Sequence, residues 1–378
     1  MKKRTVKVAA FAAVTGLILP ACGGSDSSSD TTICPTNLVI QTDWWPEIEH
    51  GGTYQLIGAA GTADAKLFTY SGPIAEKYKV GGIETVEIRA GGDAIEFQAV
   101  LSVMKTDTDI TLGYVNTDDV IQSAGTVKGI GVAATLEINP QFLMWDPEKL
   151  DIDPKDPASL GASGARILHF PGTTYTDWLT GKGYINKSQS DPNYSGSPDQ
   201  WLANNGDFIQ QGFVSNEKYK YENEIAWKDG KPAPLGFTLI HDLGWQPYPA
   251  MYTVLADRKT ELSDCLKVLV PVLQQAWVDY LDAPEELSDV LVGITTTYNN
   301  YWKVTAALNT AGFKVFEDLG LGSNGSDSTY GNFDLDRVKK LYDEAMPLLE
   351  ELGVESFDPT LKLEEVVTNE FIDTSIGR

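Results

Sequence analysis

Short apolar runs alternate with segments of helical spacing along most of the chain after residue 36. The runs are rich in Val, Ile, Leu and Phe, and small or polar residues follow them, as is typical of strands. The predicted strands are 38–41, 85–89, 110–114, 131–136, 165–170, 208–214 and 238–241, and the helical segments between them include 94–103, 118–123 and 176–180. This alternation predicts an α/β fold with mostly parallel sheets.

The last third of the chain has a different pattern, which is mainly helical from about Leu262 onward. Apolar residues recur at helical spacing over 265–281, 300–309 and 334–352. Asp334 is suited to cap the start of the last helix, and Gly353 stands just past its end. No repeat of 20–50 residues is visible, which argues against solenoids and propellers.

Five predicted strands end in small, polar or aromatic residues that lead toward a helix. The stretches at these corners are 42–52 (TDWWPEIEHGG), 90–93 (AGGD), 115–118 (VNTD), 171–175 (PGTTY) and 215–217 (SNE). In open α/β sheets, ligands bind beyond the carboxyl ends of the strands. The five corners together therefore predict a shared binding cleft.

Charge restricts the choice of partner. The chain has 378 residues, 42% of them apolar, and a formal net charge of −24. Such an acidic surface repels nucleic acid and anionic lipid head groups, so no nucleic-acid partner is expected.

The first residues have the features of an export signal. A basic start (Lys2, Lys3, Arg4) and a short apolar segment lead to Leu19-Pro-Ala-Cys22 and a Gly/Ser/Asp/Thr-rich stretch. We interpret 1–21 as a signal peptide, Cys22 as a lipidated residue, and 22–35 as a flexible tether. The alternative is ordinary secretion with an incidental cysteine. Cleavage removes four basic residues and no acidic one, so the net charge of the mature chain changes from −24 to −28.

Two cysteines remain after Cys22, at positions 34 and 265. Because an exported protein meets oxidising conditions, we predict a disulfide between Cys34 and Cys265, with two separate buried thiols as the alternative.

Several motifs resemble the solute-binding proteins of ABC importers, in the group that binds nitrate, sulfonates and thiamine-pyrimidine precursors. The specific motif is Trp-x-Pro-x-x-x-His-x-Gly-x-Tyr, which this chain carries from Trp44 to Tyr54 with a tandem Trp44-Trp45. Less specific similarities are Gly91-Gly-Asp93, the stretch from Asp109 to Gly113, and the strand from Gln211 that ends in Glu217. The helical C-terminal part is also similar.

The resemblance implies a two-lobed periplasmic-binding-protein fold with hinge strands. Lobe 1 is expected at 36–127 plus 251–378, lobe 2 at 128–250, and the hinge near 129–133 and 249–252. It further implies a monomer without cofactor, held to the outer face of the cytoplasmic membrane only by its lipid. The lobes would close on a small solute and deliver it to a membrane permease.

The candidate ligand-binding residues are aromatic, acidic and small polar side chains at the strand ends. They favour a planar, amine-bearing ligand, such as an aminopyrimidine, because rings stack and carboxylates pair with positive nitrogen. Gly51 and Gly52 are expected to let the backbone approach the ligand. The candidates are Asp43, Trp44, Trp45, Glu49, His50, Tyr54, Gly92, Asp93, Asn116, Thr117, Thr173, Thr174, Tyr175, Asn216 and Glu217.

Other functions stay open at this point. One of the two tryptophans could brace the core, and His50 could be a satisfied helix-start histidine. An anion binder for nitrate, sulfonate or taurine is one alternative, and zinc capture through His50, His169 and His241 is another. A surface adhesin is a third. An enzyme is disfavoured because no nucleophile elbow, P-loop or HExxH motif is present, and the fungal thiamine-pyrimidine synthases of this fold carry a cysteine cluster that this chain lacks.

Overall fold

The computed structural model describes residues 32–378, which form one compact unit. Cys22 and the predicted signal peptide lie outside the described residues. Within 32–378 the strands are β1 (Asn37–Gln41), β2 (Thr62–Asp64), β3 (Thr69–Pro73), β4 (Thr85–Arg89), β5 (Ile110–Val115), β6 (Gly129–Ala133), β7 (Gln141–Trp145), β8 (Ile167–Leu168), β9 (Ser190–Asp191), β10 (Ile209–Phe213), β11 (Gly236–Leu239) and β12 (Met251–Leu255).

The α-helices of the same residues are short in the first two thirds and long at the end. They are α1 (Gly51–Tyr54), α2 (Val100–Thr106), α3 (Thr117–Ser123), α4 (Ala158–Ala162), α5 (Thr174–Gly181), α6 (Asp199–Ala203), α7 (Glu217–Asn223), α8 (Ile240–Leu243), α9 (Lys259–Asp282), α10 (Glu285–Tyr298), α11 (Ala306–Leu319) and α12 (Leu335–Leu352). No helix in 32–378 is long and apolar enough to cross a bilayer.

The strands form two separate sheets. The first has the order β2-β3-β4-β1-β5-β12-β6 and the second the order β11-β7-β10-β8-β9. Strands of the first sheet come from 37–133 and 251–255, and those of the second from 141–239. The predicted α/β class is confirmed. We call the two halves lobe 1 and lobe 2, and their boundaries in the sequence stay a prediction.

The prediction of mostly parallel sheets is wrong. Among the strand pairs within 32–378, four are parallel and six are antiparallel. In the first sheet β12 returns antiparallel to both β5 and β6, and β3 pairs antiparallel with both β2 and β4. In the second sheet β7 runs antiparallel to both of its neighbours, β10 and β11.

Strand 165–170 is reduced to Ile167–Leu168 and strand 131–136 is shifted to Gly129–Ala133. Three further predicted elements differ from the structure for local reasons. The segment 94–103 is interrupted because Glu96 and Phe97 both adopt left-handed backbone angles (φ 56°), so α2 begins only at Val100. Strand 238–241 ends early, since Ile240 already begins α8. Segment 300–309 starts late because Thr305 caps α11, its hydroxyl accepting from the Leu308 amide at 3.1 Å.

Two segments connect the lobes, residues 134–140 and 244–250, and we call them the crossovers. Arg337 on α12 holds both. Its guanidinium donates to the carbonyl of Glu137 in the first crossover at 2.6 Å and to the carbonyls of Gln246 and Pro247 in the second at 2.8 and 2.9 Å. Helix α12 itself begins at its predicted cap, because Asp334 accepts from the Asp336 and Arg337 amides.

The N-terminal end of the described chain is tied to α9. Cys34 and Cys265 form a disulfide across a sequence separation of 231 residues. Helix α9 also packs against α1, where Gly51 and Gly52 face its aromatic side chains. A Cβ on Gly51 would lie 1.9 Å from the Tyr280 ring, and one on Gly52 would lie 2.2 Å from the Trp277 ring. These glycines therefore allow helix–helix contact, which corrects the expectation that they face a ligand.

Candidate functional site

The turn after β1 is fixed to the loop after β4. Thr42 donates its hydroxyl to the Arg89 carbonyl at 2.9 Å, and the Gly91 and Gly92 amides donate to the carbonyls of Trp44 and Asp43, both at 2.9 Å. These bonds fix the backbone of the turn that carries Trp44 and Trp45.

Trp44 lines a cavity between the lobes, whereas Trp45 belongs to the core. The ring of Trp45 is 1% exposed, packs at 5.0 Å against Phe68, and donates its indole N–H to Asp93 at 2.7 Å. Tyr54 is likewise buried, beside Tyr70. Of the two tryptophans, Trp45 is therefore the one that packs in the core.

Trp44 lies between backbone from both lobes. Its ring is so close to Gly92 of lobe 1 and Gly196 of lobe 2 that a Cβ on either would lie 2.9 or 2.8 Å from it. Its ring packs edge-to-face with Phe170 at 5.5 Å and Trp302 at 5.8 Å, and in a tilted arrangement with Phe97 at 6.1 Å between centroids. Trp44 is therefore the centre of an aromatic cluster that both lobes build.

The cavity has a volume of about 660 Å³, which is within the usual range for organic ligands. Four carboxylates and seven aromatic rings line it, and within 32–378 no Lys, Arg or His side chain does. The carboxylates are Asp43, Glu47, Asp119 and Glu217, and the rings are Trp44, Phe97, Tyr114, Phe170, Tyr194, Phe213 and Trp302.

Two of these acids, Asp43 and Glu47, belong to one connected group with Glu49, which does not line the cavity. His50 Nε2 lies 3.0 Å from Asp43 and 3.8 Å from Glu47. Across the lobe boundary, Asn216 donates its amide to Glu47 and to Glu49, each at 3.1 Å. The Ser215 hydroxyl also donates to Glu49. The start of α7 in lobe 2 is thereby held against the motif of lobe 1.

Burial changes the acidity of this group. Desolvation raises the pKa of Glu47 well above its usual range, and the neighbouring charges of Glu49, Asp43 and Glu217 add to the effect. Desolvation also raises the pKa values of Glu49 and Glu217. A ligand that supplies positive charge would stabilise the ionised forms of these carboxyls.

Asp119 forms a second acidic position on α3. Asn116 orients it by donating its amide to the carboxylate at 2.8 Å, while its own carbonyl accepts from the Ala250 amide at 2.8 Å. Desolvation and the charge of Asp118 raise the pKa of Asp119 to about 8.

A lysine shows how the aromatic cluster accommodates a cation. The ammonium of Lys220, on α7 of lobe 2, lies 3.7 Å from the centroid of the Trp302 ring. This is a cation–π contact. Burial lowers the pKa of Lys220.

Six of the fifteen predicted site residues line the cavity: Asp43, Trp44, Gly92, Asn116, Thr173 and Glu217. The other nine do not. Glu49, His50 and Asn216 form the buried group behind the cavity wall, and Trp45, Tyr54, Thr117, Thr174 and Tyr175 are buried in the protein. Asp93 is exposed and accepts from the indole N–H of Trp45.

Other lining residues had no place among the candidates. Asp119 directly follows a predicted corner, and Phe170 ends a predicted strand. Both could therefore have been predicted from their positions at the ends of strands. Tyr194 and Trp302 come from irregular segments remote in sequence, and Phe97 from a turn where a helix was expected. No sequence signal pointed to these three.

The histidines do not converge on one point. His169 Nδ1 lies 2.7 Å from the Phe170 carbonyl and its Nε2 lies 2.7 Å from the Ser190 hydroxyl, as in a satisfied structural histidine. In the part of the chain that the structure describes, no group of three or more His, Cys, Asp or Glu side chains is arranged to hold a metal ion.

The chain is similar to known proteins in its fold but not in its sequence. No protein family and no curated protein matches the sequence. Among solved structures, the chain is similar to the periplasmic aliphatic sulphonate-binding protein SsuA from Escherichia coli, with 12% identity over 89% of this chain and 92% of that chain and a TM-score of 0.54.

Two further structures show the same similarity. The periplasmic nitrate-binding protein NrtA from Synechocystis PCC 6803 has 14% identity over 89% of this chain and 87% of that chain, with a TM-score of 0.51. The zinc-bound ligand-binding component of an ABC-type import system from Staphylococcus aureus has 12% identity over 90% and 97%, with a TM-score of 0.50. At these identities the similarity shows the fold alone. The predicted periplasmic-binding-protein fold is confirmed.

Proposed function

We propose that the protein is the extracytoplasmic solute-binding component of an ABC importer. It captures a small, flat, amine-bearing and weakly cationic organic solute between its lobes, performs no chemistry on it, and delivers it to a membrane permease. The fold supports the importer role, because one of the similar structures is the ligand-binding component of an ABC-type import system and two others are periplasmic binding proteins. We further propose that the protein is a monomer anchored through Cys22, a residue outside the described range.

The composition of the cavity wall carries the ligand assignment. Four carboxylates attract positive charge, and seven rings offer flat faces for stacking and cation–π contact. An aminopyrimidine of the thiamine-precursor kind has this chemistry. Nitrate or a sulfonate would meet the four acids without a Lys, Arg or His side chain from residues 32–378 in the wall, so the anion alternative has less support.

Thermal unfolding of the purified protein against a ligand panel tests the proposal. The panel contains aminopyrimidines and thiamine, aliphatic amines, nitrate, taurine, and zinc with and without chelator. A ligand at about 100 times its dissociation constant adds about 2.7 kcal/mol to the free energy of unfolding. We expect this stabilisation from a flat amine, and we expect Trp44→Ala and Glu217→Gln to remove most of it.

Glu351→Gln is the matched control, because Glu351 is exposed at the end of α12, outside the cavity wall. It should leave the stabilisation unchanged. Stabilisation by nitrate or taurine alone would keep the importer role and refute the cationic ligand. Stabilisation by zinc alone, reversed by chelator, would favour metal capture.

A further inference from the structure

Gln211 is a buried side chain in the cavity wall whose amide has a fixed orientation. It lies on β10 of lobe 2 and is 2% exposed. Its carbonyl oxygen accepts from the Tyr175 hydroxyl at 2.9 Å and from the Phe170 backbone amide at 3.3 Å. Turning the amide over would place its NH₂ group against the Phe170 N–H, so two donors would face each other.

Tyr175 remains a donor throughout the physiological range. Desolvation raises the pKa of its hydroxyl well above the usual value, so the hydroxyl keeps its proton. The carbonyl end of Gln211 is therefore occupied, and the opposite end of the amide is defined.

The NH₂ end of Gln211 takes part in no hydrogen bond with residues 32–378, although polar groups of buried side chains are normally paired. Its nitrogen, Nε2, is also not one of the unpaired polar atoms that are completely shielded from solvent. Because the side chain is buried except where it lines the cavity, its two N–H donors are directed there.

We infer that Gln211 determines specificity by donating to a hydrogen-bond acceptor on the ligand. This rests on the proposed function and deepens it. The ligand then carries two features: a positive nitrogen beside the carboxylates, and a carbonyl, ring-nitrogen or hydroxyl acceptor that meets lobe 2 at Gln211. A flat cation without an acceptor leaves the donors of a buried amide unpaired, and such a mismatch is a strong basis for discrimination.

Two synthetic cations of similar size test the inference: meta-acetyl-N-methylpyridinium and meta-ethyl-N-methylpyridinium. Both carry a flat, permanently positive ring, and they differ at one carbon, where the carbonyl oxygen of the first is replaced by two hydrogens in the second. We expect titration calorimetry with the full protein to give at least about tenfold tighter binding of the acetyl compound, the factor of one hydrogen bond to a buried partner. In Gln211→Met the ratio of the two affinities should fall to about one.

Gln210 provides a matched control on the same strand. It is fully buried, and its amide donates to Tyr221 at 3.0 Å instead of lining the cavity. Gln210→Met should keep the ratio of the wild-type protein, even if it lowers stability. Gln211→Glu is the second variant, because it keeps the acceptor for Tyr175 and Phe170 and replaces the donor by a carboxylate oxygen. This variant should prefer the ethyl compound.

The outcomes separate the two proposals. Equal binding of both cations by the wild-type protein, or an unchanged ratio in both Gln211 variants, overturns the role of Gln211 and leaves the cationic site intact. Binding of neither cation at roughly millimolar concentration, together with no stabilisation by any flat amine of the panel, overturns the proposed ligand class, and the inference about Gln211 with it.

Discussion

At the scale of single residues, the acidic side chains of the cavity are preorganised by the protein. Each of the four lining carboxylates has a polar neighbour that restricts its orientation, which reduces the entropy lost when a ligand binds. The neighbours are His50 for Asp43, Asn216 for Glu47, Asn116 for Asp119 and the Phe213 amide for Glu217. The geometry of the acidic groups is thus set before the ligand arrives.

Ligand affinity should rise with pH because of Asp119. Its pKa is raised from 3.8 to about 8, so between these values the folded protein holds a proton that the unfolded chain has lost. The free energy of unfolding therefore falls as pH rises through this window. A bound cation favours the ionised form and releases the proton, so its affinity should increase up to about pH 8 and then level off.

Calorimetry with meta-acetyl-N-methylpyridinium, in buffers of different ionisation enthalpy, measures both the affinity and the proton release. Asp119→Asn should bind more weakly at high pH and lose the part of the dependence near pH 8, while the steps of Glu47, Glu49 and Glu217 remain. An affinity that falls with rising pH would contradict a cationic ligand.

At the scale of elements, the loop between β9 and α6 brings lobe 2 to Trp44 through Gly196. This residue combines a left-handed backbone angle (φ 81°) with a close approach to the ring, where a Cβ would lie 2.8 Å away. Gly196→Ala should displace the loop from Trp44 and weaken ligand binding about tenfold or more, since small misplacements of a binding group are costly.

Gly183→Ala is the matched control for backbone strain. Gly183 has a similar angle (φ 73°), but a Cβ there would meet no atom within 4 Å. Both variants should lose about 1–2 kcal/mol of stability, and Gly196→Ala alone should lose affinity and change the Trp fluorescence on ligand addition. Equal affinity in the two variants would show that the contact with Trp44 does not matter for binding.

The elements also show what the sequence could predict. β4 was predicted with its observed bounds and β5 and β10 to within a residue at each end, because short apolar runs bounded by polar residues are a local signal. The prediction that Gly51 and Gly52 face a ligand was wrong because their surroundings are not a local property of the sequence. Their neighbours Trp277 and Tyr280 stand more than two hundred residues away on α9, and only the folded chain brings them together. Tyr194 and Trp302 are likewise far from the motif in sequence and reach the cavity wall only in the folded chain.

At the scale of the whole molecule, the disulfide between Cys34 and Cys265 closes most of the chain into one loop of sequence separation 231. Replacing both cysteines by serine should lower the free energy of unfolding by about 2–5 kcal/mol, because the unfolded chain regains the entropy of that loop. Ligand affinity should not change, since neither residue lines the cavity.

Denaturant unfolding with and without a reducing agent measures this effect. The reducing agent should lower the midpoint of the wild-type protein toward that of the double-serine variant and leave the variant unaffected. A wild-type midpoint that is the same under both conditions would mean that the bridge does not stabilise the fold.

The contacts of Arg337 have a consequence for timing. Because one guanidinium holds the carbonyls of both crossovers, a twist in either segment strains the bonds to the other. We expect the two segments to twist together, so that the lobes part as two rigid bodies around a common axis. The residence time of a bound ligand would then depend on how fast the two crossovers twist. Arg337 would influence this rate although it is not part of the cavity wall.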